Sequence, residues 1–182
     1  LISDGKHLTA APRAMMRIAA IQFAEEQYQE AAATYDELLS KYTKSSVVAS
    51  ASLGSGKAWF RAKEFEQALS RFRSVPKDST AASQAILWTA MSLRELGRTE
   101  ESRAEFNEAL RIAGDSPLAQ DILYQQAQME RTGTDRELAA KMFEDIADRW
   151  PQSERTAECL FNAAELRLEM NDGDRAERLF RR

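Results

Sequence analysis

The fold is decided by a unit that recurs along the chain, and residues 83–119 give one copy of it: SQAILWTAMSLRELGRTEESRAEFNEALRIAGDSPLA. Ala90, Ser102 and Phe106 of this copy each have equivalents in the other copies. Small residues equivalent to Ala90 recur at spacings of 37, 34, 37 and 37 residues, at Ala19, Gly56, Ala90, Ala127 and Ala164. A regular period of about 20 to 50 residues is the sequence signature of a repeat architecture.

Two further series share these four spacings. Small residues recur at Ala31, Ala68, Ser102, Ala139 and Ala176, and aromatic residues recur at Tyr35, Phe72, Phe106, Phe143 and Phe180. Because each aromatic residue follows a small one by four positions, both lie on one face of a helix. Three series with one irregular spacing pattern predict five registered units, in which all these residues pack the helices together.

Each unit is predicted to contain two helices. Helix-favouring residues dominate, and the chain has only 7 Gly and 4 Pro. Turn residues such as Gly97-Arg98-Thr99 lie within units, whereas Pro76, Pro117 and Pro151 lie between them. We predict helices at residues 12–26, 29–42, 47–63, 66–74, 81–96, 100–112, 118–131, 136–149, 154–170 and 174–182. Two such helices approach closely only where side chains are small, and neighbouring pairs bury each other's apolar surface.

From Pro12 onward, this pattern resembles the tetratricopeptide repeat family. The family's small residue of the first helix and its Ala-then-aromatic pair of the second match the three series, and Tyr28 and Phe65 suit the position before the second helix. One departure is the family's usual aromatic residue late in the first helix, which is Trp59 in one unit but Gln22, Leu93, Glu130 and Arg167 elsewhere. The long period is similar to that of bacterial envelope-type variants, as in the TolA-binding coordinator and the outer-membrane-assembly lipoprotein.

The resemblance implies an all-α fold, a right-handed α-α superhelix of antiparallel helix pairs. We expect one solenoid over residues 12–182, with pairs at 12–48, 49–82, 83–119, 120–156 and 157–182. Residues 1–11 are expected to be a leader or the end of a preceding element. Because Leu179 and Phe180 still face a neighbour that the sequence does not supply, we expect a truncated last pair and a fragment of a larger protein.

The resemblance also implies that the first helices line a concave face that binds protein partners. Large apolar side chains on an open face usually mark such a site, and an amphipathic helix or extended peptide would suit it. The predicted partner-binding residues are Met16, Phe23, Leu53, Lys57, Phe60, Arg61, Leu87, Met91, Arg94, Tyr124 and Phe161. The alternative is that these side chains pack against neighbouring first helices. A terminal-carboxylate ligand is disfavoured, because the family's Lys at the first clamp position is replaced by apolar residues and Tyr124.

Composition excludes several classes of function. The net charge of -4 and the pI near 5.3 argue against a nucleic-acid-binding protein, which normally needs a basic face. No stretch approaches the roughly 18 to 20 apolar residues of a membrane span, so we expect a soluble protein with no direct membrane insertion. The single Cys159 cannot form an internal disulfide, which leaves periplasmic and cytoplasmic locations both open.

No catalytic, metal-binding or cofactor-binding residue is predicted. The string GSGKA at residues 54–58 lacks the earlier Gly and following Ser or Thr of a phosphate-binding loop, so Gly56 is assigned to packing. His7 is the only histidine, which excludes a histidine-based zinc site or triad. Cys159 is expected to be a small hydrophobic residue.

The sequence therefore predicts a non-enzymatic protein-protein interaction scaffold that binds a partner segment on its concave face. Two alternatives stay open. The chain could be a spacer or a self-association module that forms a homo-oligomer, or it could be the recruiting arm of a larger protein whose catalytic domain lies outside these residues. Fold alone does not name the partner.

Overall fold

The computed structural model describes the backbone of residues 4–114, 116–133 and 135–182, and side chains from residue 10 onward within these ranges. All secondary structure in these ranges is helical. The helices are α1 (Asp4–Ala24), α2 (Tyr28–Lys41), α3 (Val48–Arg61), α4 (Phe65–Arg73), α5 (Ala82–Glu95), α6 (Thr99–Ala113), α7 (Pro117–Thr132), α8 (Arg136–Arg149), α9 (Thr156–Glu169) and α10 (Gly173–Phe180). The predicted all-α class is confirmed, and from α2 onward each predicted boundary lies within about two residues of the observed one.

The predicted start of the first helix is wrong. α1 begins at Asp4 rather than at residue 12, and Pro12 lies inside it. Proline lacks an amide donor and its ring crowds the preceding turn, so it is least costly in the first turn of a helix, where the predicted bounds have it. In the structure Pro12 is buried, so its ring contributes hydrophobic energy that opposes this cost. Residues 1–3 of the expected leader lie outside the described residues.

The helices form two compact parts, residues 1–105 and 106–182, with the boundary inside α6. We call them the first unit and the second unit, and we call the five sequence copies repeats. In the first unit, α1 packs on α2, α2 on α3, α3 on α4 and α4 on α5, while α3 also contacts α1 and α5. In the second unit, α7 packs on α8, α8 on α9 and α9 on α10. Within each unit, helices therefore pack as consecutive pairs, and each pair packs on the next.

Small residues allow the close approach of the helices. A Cβ atom added to Gly56 in α3 would lie 2.4 Å from Cε1 of Phe72 in α4, and the Ser102 hydroxyl donates a 2.7 Å hydrogen bond to the Ala90 carbonyl. Thirteen of the predicted packing residues are buried, namely Ala19, Ala31, Tyr35, Gly56, Ala68, Phe72, Ala90, Phe106, Ala127, Ala139, Phe143, Ala164 and Ala176. Phe180, predicted to pack as well, is 48% exposed.

The turns inside the helix pairs share a residue with left-handed backbone. The φ angle is 62° at Glu26, 63° at Lys63, 73° at Gly97 and 62° at Asn171, and these residues occupy equivalent positions of their repeats. The N–H of the following residue donates to a carbonyl in the last turn of the first helix, as Glu64 does to Trp59. This hydrogen bond belongs to the Schellman ending of a helix, which glycine adopts with the least strain. The equivalent Thr134 lies outside the described residues.

Replacing Lys63 by glycine is expected to stabilise the protein by about 0.5–1 kcal/mol, because glycine adopts this φ without a steric penalty. The reciprocal variant, Gly97→Ala, should lose a similar amount. A Cβ atom at Gly97 would meet nothing within 4 Å, so its effect comes from the backbone alone. Urea unfolding monitored by circular dichroism measures both changes. Equal stabilities for all three proteins would contradict the assignment of strain to this turn.

Asp36 connects the first helix pair to the second. Its carboxylate accepts hydrogen bonds from the Ser55 hydroxyl and from Nε1 of Trp59, the latter at 3.2 Å, and it lies 2.9 Å from Nε of Arg71. The donors belong to α3 and α4, whereas Asp36 belongs to α2. One carboxylate of the first pair therefore holds both helices of the next.

Glu144 has the equivalent role in the second unit. It accepts from Nε of Arg167 at 2.8 Å and from Nε of Arg175 at 3.1 Å, so α8 is joined to both α9 and α10. Arg167 is only 2% exposed and also donates to Glu137. Arg167 follows Glu144 by 23 residues, the same separation as between Asp36 and Trp59 in the first unit. Arg167, which stands where the family usually has an aromatic residue, thus donates hydrogen bonds to the preceding helix pair.

Candidate functional site

A lysine and two aromatic residues of α3 and α5 form the candidate site, and we call Lys57, Phe60 and Trp88 the α3–α5 surface. Nζ of Lys57 lies 5.5 Å from the centroid of the Trp88 ring, within the range of a cation–π interaction. The Phe60 and Trp88 rings meet edge to face with centroids 5.1 Å apart. All three side chains are only partly buried, so a cation and two aromatic rings are presented together to solvent.

The Trp88 indole is fixed from the core. Its ring stacks on the buried Phe72 at a centroid distance of 5.9 Å, while Phe60 is held by a second edge-to-face contact with Phe65 at 5.3 Å. Ordered aromatic rings lose little conformational entropy when a ligand binds, since their rotamers are already fixed. The aromatic rings of the α3–α5 surface are therefore preorganised for contact with an apolar side chain.

Lys57 lacks a carboxylate partner among the described side chains. Its polar contact there is a weak 3.4 Å hydrogen bond to Oε1 of Gln84. Burial lowers the pKa of Lys57, because the charged ammonium loses water that no anion replaces. One helical turn along α3, the Arg61 guanidinium lies 5.5 Å from the ring centroid of Tyr28. Lys57 and Arg61 are four residues apart and share a helix face.

The other predicted partner-binding residues of the first unit have different surroundings. Met16 and Phe23 are partly buried against core alanines, and Met91 is partly buried. Arg94 forms a 2.9 Å ion pair with Glu95. Their positions leave part of each of these side chains accessible.

Leu53 and Leu87 were predicted to face a partner, but the structure buries them. They are 9% and 7% exposed, and Leu53 packs in a core cluster with Phe72 and Val75. Leu53 shares this cluster with Ala85 of α5, the neighbouring first helix, which α3 contacts. The alternative of packing between first helices therefore applies at Leu53.

In the second unit, the predicted residue Tyr124 is also buried, at 8% exposed. Its hydroxyl donates to Glu158 and accepts from Nε2 of Gln128, and the Arg155 guanidinium lies 4.7 Å from its ring centroid. Burial and the hydrogen bond to Glu158 raise the pKa of Tyr124. The polar groups of this residue are satisfied within the chain, which leaves little for a partner.

Phe161 is the most exposed aromatic residue among the predicted set in the second unit. It is 51% exposed and contacts Phe180 edge to face at 5.8 Å. Together with Leu160 and Leu179, these rings line a cavity of about 480 Å³. Unlike the α3–α5 surface, this aromatic pair has no cation stacked on it among the described contacts.

Sequence reasoning missed Trp88. The residue at the equivalent position of the preceding repeat is Gly54, where an added Cβ would lie 2.7 Å from Cζ of Tyr35. Tryptophan is far larger than the glycine that the preceding repeat has at this position. This difference in side-chain size between aligned repeats was the available signal that Trp88 remains partly exposed.

The string GSGKA and Cys159 are both part of the helix packing. GSGKA lies inside α3, and its glycines contact the rings of Tyr35 and Phe72. Cys159 is fully buried, and burial raises the pKa of its thiol to about 11, so the thiol is protonated at neutral pH. Within the described ranges, no three His, Cys, Asp or Glu residues are grouped to hold a metal ion, and no helix has the length and apolar character of a membrane span. The His7 side chain lies outside the described residues.

Comparison with known sequences agrees with the repeat pattern. A family model described as tetratricopeptide repeat matches residues 16–85 and 64–117, and a second model of the same description matches residues 121–153. These ranges cover more than half of the chain. No curated protein matches it in sequence.

Solved structures show the same fold at low identity. BtubC (BKLC) from P. vanneervenii is 15% identical, with 97% of this chain and 79% of that chain covered at a TM-score of 0.79. YrrB, described as a TPR protein with an unusual peptide-binding site, is 14% identical, with 91% and 80% covered at 0.63. The Rap conjugation gene regulator of plasmid pLS20, solved with the Phr* peptide, is 17% identical, with 100% and 55% covered at 0.70. These similarities confirm the predicted solenoid of helix pairs.

Proposed function

Because the chain belongs to the tetratricopeptide repeat family, we propose that it is a non-enzymatic scaffold that binds a peptide segment of a protein partner along the first helices of its first unit. Repeats of this family generally serve as protein interaction scaffolds, and two structural neighbours are described with peptides or a peptide-binding site. The observation that carries the proposal is the α3–α5 surface, where fixed aromatic rings remain partly exposed beside a cation that has no carboxylate partner among the described side chains.

Two physical arguments support this location. Aromatic side chains that are held by the core and left partly open are the residue type that dominates binding energy at interfaces. In addition, Phe60 and Trp88 pack against the core cluster that contains the buried Leu53. Met91 on α5 and Phe23 on α1 are also partly accessible apolar residues. The resemblance to envelope-type variants and the cellular compartment stay predictions, as does the larger protein around this chain.

Selection of random linear peptides displayed on phage, with the purified chain as the target, tests this function. Enriched peptides, made synthetically, should bind wild type measurably and lose at least about tenfold in affinity with Phe60→Ala, because an aromatic anchor is removed. The matched control is Phe161→Ala, which deletes an exposed ring of the second unit and should change affinity less than about twofold. Circular dichroism melting shows whether each variant is folded.

Two outcomes contradict the proposal. One is enriched peptides whose affinity depends on Phe161 and not on Phe60, which would place the site in the second unit. The other is the absence of any enriched peptide that discriminates between wild type and the folded Phe60→Ala or Trp88→Phe variants. Trp88→Phe retains a ring to stack on Phe72 and serves if Phe60→Ala unfolds the chain.

A further inference from the structure

Lys57 stands out among the cations of the first unit. The described lysines and arginines of this unit either pair with a carboxylate, as Lys41 does with Glu37 and Arg71 with Asp36, or are exposed to water. Lys57 is the exception, because its side chain is partly buried and no described carboxylate pairs with it. A half-buried ammonium without an anion is energetically unfavourable unless another group compensates for its lost hydration.

The groups around Lys57 compensate only in part. The Trp88 ring contributes a cation–π interaction, which is weaker than an ion pair with full hydrogen bonding. Gln84 contributes a neutral acceptor at 3.4 Å, the long limit of a hydrogen bond. An ammonium group has three donors, so donors of Lys57 remain available to a ligand.

We infer that the partner segment is an acidic peptide, which presents an Asp or Glu carboxylate to Nζ of Lys57 and a large apolar side chain to Phe60 and Trp88. This inference rests on the proposed function and specifies its ligand. Arg61, one turn along the same helix face, is placed to receive a second carboxylate of the same segment. Because the chain as a whole carries a net charge of -4, this local pair of cations selects the ligand by position rather than by general attraction.

Charge complementarity distinguishes this ligand from a basic or neutral peptide. A basic segment would bring a like charge to a partly desolvated ammonium, and a neutral one would cover it without supplying an anion. A single-stranded nucleic acid could also stack on Trp88, but such proteins combine aromatic rings with a positively charged groove. The net negative charge therefore favours the peptide.

The test uses the peptides selected above. Asp and Glu should be enriched in them beside an aromatic or aliphatic residue. For the tightest peptide, fluorescence anisotropy should show about a tenfold weaker affinity with Lys57→Met, which keeps an aliphatic stem over Trp88 but removes the charge. The control Lys77→Met changes an exposed lysine in the segment after α4 and should leave the affinity within about twofold.

A charge exchange makes the test specific. Lys57→Glu should bind the acidic peptide worse than Lys57→Met does, and it should regain affinity for a peptide whose key acidic residue is replaced by Lys. The Lys57→Met variant should also melt at or above the wild-type temperature, because it removes a partly desolvated charge. A lowered melting temperature together with weaker binding would identify Lys57 as structural and overturn the inference.

The remaining outcomes separate this inference from the proposed function. Peptides that depend on Phe60 but carry no acidic enrichment and tolerate Lys57→Met would overturn the acidic ligand and leave the scaffold function standing. An absence of Phe60-dependent peptides would overturn both. Binding of fluorescent oligouridylate that is lost with Lys57→Met, without peptide binding, would replace the acidic peptide by nucleic acid.

Discussion

Replacing Glu144 by leucine is expected to destabilise the protein by about 3–5 kcal/mol, because the buried Arg167 loses its principal partner. The Glu144 side chain is 12% exposed and that of Arg167 is 3% exposed, so water cannot substitute for the carboxylate. The hydrogen bond from Arg167 to Glu137 remains, but Glu137 is half exposed and stays largely hydrated. The stability of Glu144→Leu and wild type can be compared by guanidinium unfolding.

Two controls identify the buried charge as the cause. The double variant Glu144→Leu/Arg167→Leu should recover much of the loss, because an apolar pair leaves no unpaired charge in the interior. Glu177→Leu removes an exposed ion pair with Arg181 and should change stability by no more than about 1 kcal/mol. If the double variant were as unstable as the sum of its single variants, the loss would have to come from packing instead.

Replacing Gly56 by alanine is expected to cost about 1–3 kcal/mol, although alanine is the better helix former. The added Cβ would lie 2.4 Å from Phe72, a distance that requires the ring to move. That ring is 2% exposed and stacked on Trp88, so its surroundings resist the movement. Thermal melting by circular dichroism measures the effect, which should appear as a lower melting temperature.

Gly173→Ala is the matched control for this change. Gly173 also lies in a helix, but an added Cβ would meet nothing within 4 Å. Alanine should therefore stabilise the protein at this position by up to about 1 kcal/mol, since only helix propensity acts. Rescue of Gly56→Ala by a second change, Phe72→Leu, would confirm the steric cause; equal effects of alanine at Gly56 and Gly173 would contradict it.

The fold could be predicted because its strongest determinant is periodic. Small residues such as Ala90 and aromatic residues such as Phe106 must recur wherever two helices cross, so their spacing reveals the units and the turns between them. The start of α1 was not predictable in this way, because Pro12 gives a local signal that tertiary burial overrides.

The candidate site could be predicted only in part. Register placed Lys57 and Phe60 on the first-helix face, where the structure finds them together. Register alone does not distinguish accessible from covered side chains, and Leu53 and Leu87, which it placed on the same face, are buried. Trp88 escaped prediction because its exposure depends on the size of a side chain relative to the space available, which spacing does not report.

The carboxylate positions represented by Asp36 and Glu144 restrict how such a chain can be rearranged. Their equivalents in the other repeats are Arg73, Asn107 and Arg181, so this position carries an acidic, a basic or a neutral side chain, depending on the repeat. Moving the last repeat to follow the second would set the buried Arg167 against Arg73, a second guanidinium group in place of its carboxylate partner. The repeats at the Asp36 and Glu144 junctions therefore depend on a particular neighbour, and gene-level duplication or shuffling of these repeats must carry the acceptor and its donor together.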